Sequence, residues 1–157
     1  MKHKLAKALA AVVAVICAVS GMVACSGGGD VTVKLVDSSA ERVVLRVEKT
    51  DGKANAFDML EYLEDKGQLT VTSEDSAYGA FITAINGVAN RVDESTATSS
   101  KGYSWTLYTS DLQNAYEETT ITVEGRQCGM AAFGASTLIA KEGALYVWVY
   151  EYYSYEW

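Results

Sequence analysis

Few side chains in this sequence are equipped for covalent or acid–base chemistry. The one histidine is His3, and the three cysteines are Cys17, Cys25 and Cys128. His3 belongs to an N-terminal leader, so the chain behind it has no Ser-His-Asp or Cys-His pair and no imidazole to offer a metal. Cys128, in Gln127-Cys128-Gly129-Met130, has no base nearby in sequence and reads as a small buried hydrophobe rather than a reactive thiol. Carboxylate-only chemistry of the glycosidase kind needs just two placed acids. The 20 acidic residues contain no spaced motif that singles out a pair. The expectation is therefore not an enzyme, with neither metal nor catalytic residue assigned. What remains is the chemistry of rings: 10 Tyr, 3 Trp and 3 Phe, side chains that offer large, rigid contact area with a polar tip.

Cys25 is the one cysteine with a reading of its own. Lys2, Lys4 and Lys7, the apolar run from Ala8 to Val19, and Val23-Ala24-Cys25-Ser26 resemble a bacterial lipoprotein signal peptide. Residues 1–24 would be removed and Cys25 lipidated, placing the remainder outside the cytoplasmic membrane on a lipid. Cys17 follows the bulky Ile16 and is the poorer site. The other reading is an uncleaved anchor, since the uncharged stretch from Ala8 to Ala24 approaches the roughly 17–25 apolar residues that span a bilayer. Residues 25–30 continue as a Gly-rich tether, with neither the Lys-Ser/Thr nor the preceding strand of a phosphate loop.

From Cys25 onward the chain has 133 residues, the full 157 less 24, enough for one domain with a real core. With the three leader lysines gone, 10 basic residues face 20 acidic ones, a formal charge of −10. Nucleic acid is an unsuitable partner, and an anionic membrane surface repels this body, so the lipid alone must hold it there. With Cys17 removed and Cys25 lipidated, Cys128 has no partner for an internal disulfide.

The elements that must position the rings follow from periodicity. Val31, Val33 and Leu35 alternate with Thr32 and Lys34, Asp37 to Ala40 makes a turn, and Arg42 to Glu48 alternates again, giving a hairpin. Asn55 caps a helix with Phe57, Leu60 and Leu63 inward and Gly67 as its stop. Asp58, Glu61, Glu64 and Asp65 form its solvated side. Leu69 to Thr72 is a strand, and it leads into Ser76 to Gly87, which ends in an Asn86-Gly87 turn. Asn90 to Lys101 reads as a mobile loop. Tyr103 to Tyr108, Thr120 to Glu124 and, after a Glu142-Gly143 turn, Ala144 to Tyr153 are further strands.

This order, with Tyr78-Gly79-x-Phe81-Ile82-x-x-Ile85-Asn86-Gly87, Tyr103-x-Trp105-x-x-Tyr108 and Glu142-Gly143 before the last strand, resembles the transcobalamin-like C-terminal domain of bacterial surface lipoproteins. The resemblance covers roughly Val43 to Tyr152. It implies an α+β fold over residues 31–157: a β-grasp-like mixed sheet holding one main helix. It further implies a ligand face at Tyr78, Phe81, Thr83, Trp105, Leu107 and Tyr108, with Trp148 nearby, and cobalamin or another corrinoid as the ligand. Two departures stand out. Ser110 to Ala140 is longer than in relatives, and the large helical domain that completes the site in cobalamin carriers is absent, so a partner domain would have to supply it.

On the last strand Leu145, Val147 and Val149 point one way, and Tyr146, Trp148, Tyr150 and Tyr152 the other. The aliphatic side is expected under the helix. The aromatic ladder is then either cross-strand packing or a face open to flat partners. Two classes of function follow: a lipid-anchored extracytoplasmic binding module for a small solute, or a surface interaction or adhesion protein recognising another protein or a glycan through a sheet edge or the aromatic face.

Overall fold

A computed structural model describes residues 28–157. The leader, Cys17, Cys25 and the first part of the tether lie outside the described residues. The alternating apolar residues of the first hairpin form β1 (Val31–Ser38) and β2 (Arg42–Thr50), paired antiparallel. Arg42 closes the turn by donating to Asp37 Oδ2 at 2.7 Å.

The single helix, α1 (Ala56–Asp65), starts where Asn55 Oδ1 accepts from the Phe57 and Asp58 amides at 2.9 and 3.0 Å. Asp58 does not belong to a solvated face as the spacing suggested. It is buried, and its Oδ2 accepts from the Asn55 amide at 2.8 Å, closing a reciprocal capping box. Glu64 likewise is engaged, accepting from the Val71 amide at 2.9 Å. Gly67 ends the helix at φ 66°, a left-handed conformation that costs glycine little. Asn55→Ala removes the acceptor for two first-turn amides and is expected to lower stability by about 1–2 kcal/mol, measured by urea denaturation.

After the helix, β3 (Val71–Ser76), β4 (Gly79–Ile85) and β5 (Val88–Ala89) form a small separate sheet. Its last turn is Asn86-Gly87, both at positive φ. The expected mobile loop at 90–101 is instead mostly strand: β6 (Arg91–Ser95) turns directly into β7 (Ser99–Thr109). Its Ser, Thr and charged residues alternate along an exposed ribbon that cross-strand pairing orders. A single 3-10 turn (Leu112–Asn114) precedes β8 (Ala115–Val123) and β9 (Arg126–Ala131), and β10 (Leu145–Glu156) closes the chain.

The large sheet runs β1-β2-β10-β7-β9-β8, with β6 also on β7, and every pair is antiparallel. The fold is thus α+β, one helix against one face of a sheet. The two faces of β10 are reversed relative to expectation. Tyr146 and Trp148 lie in the main core with Met59, Leu60 and Leu63 of the helix. Leu145 and Val147 lie in a second core with Tyr108, Val123 and Cys128. Rings fill the wider gap under a helix, and their polar tips find partners there: the Tyr146 hydroxyl donates to the Ile139 carbonyl at 3.0 Å and accepts from the Lys141 amide at 2.9 Å.

The long segment 110–140 therefore serves both cores. Its β8-β9 hairpin supplies Val123 and Cys128 to the second, and Ala135, Leu138 and Ala140 enter the first. The Leu138 and Ala135 carbonyls also accept from the Ala56 and Phe57 amides at 2.9 and 3.1 Å. Among the described residues no helix is long and apolar enough to cross a membrane.

Candidate functional site: an aromatic groove at the middle of β7

Strand β7 is paired along its whole length with β10, but its other side is shared. β6 occupies Ser100 to Tyr103 and β9 only Tyr108 and Thr109. Between them, Ser104 to Leu107 has a strand on the β10 side alone. A groove of about 450 Å³ opens there.

Trp105, Leu107 and Trp148 line its floor, with Phe81 on the β4 side and Met130 and Phe133 on the other, while Tyr116 and Tyr155 complete the rim. Phe81, Tyr116, Phe133 and Tyr155 are all at least half exposed. An adjoining depression is lined by Tyr78, 88% exposed, and again by Phe133. No lining residue of either is Asp, Glu, Lys or Arg.

The walls are fixed by partly buried polar contacts rather than by sheet pairing. Asn90 Oδ1 accepts from the Trp105 amide at 3.1 Å while its Nδ2 donates to the Ile82 carbonyl at 2.9 Å, so one side chain clamps β4 to β7. Trp105 Nε1 donates to the Val88 carbonyl at 2.8 Å, and its ring lies 5.4 Å from that of Tyr150. Ser136 Oγ accepts from the Ala80 amide at 2.8 Å, holding β4 against the 132–140 segment. A floor held this way loses little conformational entropy when something rests on it.

Of the residues implied by the family resemblance, Phe81, Trp105, Leu107 and Trp148 converge on the groove, and Tyr78 stands beside it. Thr83 does not line it; its Oγ1 donates to the Thr72 carbonyl at 3.1 Å. Tyr108 points to the opposite face and is buried in the second core, with its hydroxyl 3.0 Å from Glu151 Oε1. Sequence reading missed Tyr116, Met130, Phe133, Tyr155 and the clamp Asn90. The Gly-rich segment around Phe133 was the available signal, because a large ring beside Gly134 in an aperiodic stretch has no regular core to enter.

Burial, then the hydrogen bond to the Glu151 carboxylate and its negative charge, push the Tyr108 hydroxyl up from 10.0 to about 12. A raised folded-state pKa means that the contribution is complete below the unfolded value near 10 and is lost as pH climbs toward 12. Alkaline unfolding of the native chain should therefore steepen across that window and flatten in Tyr108→Phe, followed by circular dichroism. Burial also pushes the Cys128 thiol up, against a nucleophilic role. Among the described residues no group of three or more His, Cys, Asp or Glu could hold a metal ion.

The fold and groove define an α+β domain with an apolar, aromatic-rimmed recess beside an incompletely paired strand. The chain matches no family model, no curated protein and no solved structure.

Proposed function

We propose that this chain is a lipid-anchored, extracytoplasmic binding module for a small solute with a flat apolar surface, on a β-grasp-like domain of the transcobalamin C-terminal kind. The observation that carries the reading is the groove: four of the residues implied as a ligand face meet in one recess of about 450 Å³, within the ~300–1,000 Å³ usual for ligand sites. A corrinoid could lay one face there, and a partner domain would cover the other.

The test is tryptophan fluorescence of the full chain titrated with cobalamin, corrected for corrin absorption, in a Trp157→Phe background that silences an exposed indole. Saturable quenching at micromolar ligand, weakened about tenfold in Phe81→Ala or Phe133→Ala, supports the reading; stacking contacts of this kind contribute about 0.5–1.5 kcal/mol each. No saturable change with cobalamin or with a panel of flat solutes overturns it.

A second reading, an interaction or adhesion protein, is favoured by one observation. Ser104 to Leu107 is a strand segment that no strand pairs on the side away from β10, the feature that β-augmentation uses, although its Trp105 amide is already held by Asn90 Oδ1 and an added strand would have to displace that clamp. Crosslinking on intact cells that recovers one recurrent protein through a probe at Thr106 would support it, and a lack of any recurrent partner would count against it.

A further inference from the structure

The groove has a charge pattern that its apolar lining conceals. Neither it nor the adjoining depression is lined by a charged side chain, yet acids flank its exposed rings. Glu74 stands directly opposite Phe81 in the β3-β4 register, and Asp75 opposite Ala80. Side chains in such pairs share a face with Cβ atoms about 4.5–5.5 Å apart. Glu117 and Glu118 follow Tyr116 in the bulge where Tyr116 pairs with Met130 and Thr120 with Gly129.

All four acids belong to exposed positions. Among the described residues they enter none of the ion pairs, which are Arg42–Asp37, Arg91–Asp93, Lys101–Glu94 and Lys141–Asp111. Those four pairs commit Arg42, Arg91, Lys101 and Lys141. Arg91 pairs with Asp93 and lies over the Tyr103 ring, 4.7 Å from its centroid. Lys141 is held by buried Asp111 at 2.7 Å.

A recess of uncharged ring faces, with no charged side chain in its lining and with unpaired carboxylates next to two of its exposed rings, Glu74 across from Phe81 and Glu117 and Glu118 just after Tyr116, is complementary to one class of solute. We propose that the groove selects organic cations: ligands with a flat apolar body that carry a quaternary or protonated nitrogen. The ring quadrupoles attract the cation at short range, and the rim carboxylates add a longer-range attraction screened by salt. An anion of the same shape meets the rim acids and is repelled, and a neutral solute gains burial alone. The selection rests on the groove being a solute site, as proposed above, and narrows what that site accepts.

The experiment uses the full chain in lipid nanodiscs and follows the indole N–H signals of Trp105 and Trp148 by NMR. Three water-soluble probes built on one phenyl ring are titrated: benzyltrimethylammonium, methyl phenyl sulfone and benzenesulfonate. The expected result is saturable movement of both indoles with the ammonium, about tenfold tighter than with the sulfone, and weakest with the sulfonate. In Glu74→Gln and in the double variant Glu117→Gln with Glu118→Gln, the ammonium should weaken about threefold at low salt, while sulfone affinity stays constant. These three residues are exposed, so folding is retained and the variants remain informative.

If the sulfone or the sulfonate binds as tightly as the ammonium, the charge selection is overturned and the solute site stands. If none of the three moves either indole, the selection fails together with the solute site itself.

Discussion

Trp148→Ala is expected to lower the stability of the domain by about 3–5 kcal/mol, the cost of a large ring removed from a closed core. Trp148 is 1% exposed and is among the largest fully buried side chains. It belongs to the same cluster as Met59, Leu60 and Leu63 while also lining the groove. The substitution therefore leaves a cavity beneath the groove floor that the helix above and β2 beside it cannot collapse to fill. In a domain of this size the loss corresponds to a fall in thermal midpoint of roughly 10 °C or more. Trp148→Phe should cost much less, because a ring still spans the gap. A midpoint within a few degrees of wild type for Trp148→Ala would mean that the ring is not a structural anchor and that the floor is adaptable.

The second large effect comes from the smallest side chain. Gly102 on β7 faces Arg91 of β6 so closely that a Cβ at this position would overlap the Arg91 carbonyl oxygen and lie 3.0 Å from the Val92 Cα. Both obstacles are backbone, so no rotamer change can relieve them. Gly102→Ala must push β6 off β7, breaking the register from Arg91–Tyr103 to Ser95–Ser100 and the Arg91 stack on Tyr103. The expected cost is about 2–3 kcal/mol, with amide exchange accelerated across β6 and unchanged in the helix. Protection of the β6 amides equal to wild type would show that the ribbon tolerates a wider spacing and that glycine here is incidental.

Both predictions bear on the groove from different sides. Trp148 sets its depth, while β6 leads, through Asn90 and Arg91, to the clamp on Trp105. A shift of β6 should therefore loosen Trp105 in the floor without substituting any lining residue, and its fluorescence should red-shift in Gly102→Ala.

Local physics accounts for what was legible in the sequence. The first hairpin, the capped helix, the Gly67 stop, the Asn86-Gly87 turn and the final strand all follow from backbone preferences and from which side chains recur on one side. These depend on neighbours a few residues away, so one chain read in order contains them. The scarcity of His and Cys is likewise a property of composition, and it limited the chemistry before any fold was known. Phe81, Trp105, Leu107 and Trp148 were picked out through a family resemblance, on motifs that also carry core residues.

Tertiary structure alone decided the rest. The alternation of β10 reveals two faces but cannot say which lies under the helix, because either an aliphatic or an aromatic face can be buried. The space left by α1, and the polar partners available to Tyr146 within it, chose the aromatic one. Tyr108 shares a strand with Trp105 and Leu107, yet a strand alternates its side chains, and the packing of β8 and β9 drew Tyr108 into a second core. Asn90, in a stretch that reads as a mobile loop, clamps two sheets only because β4 and β7 happen to meet there. The groove itself exists because two strands, β6 and β9, share one side of β7 and leave four residues between them. That gap is a relation among three segments distant in sequence, set by how they pack and encoded in none of them singly.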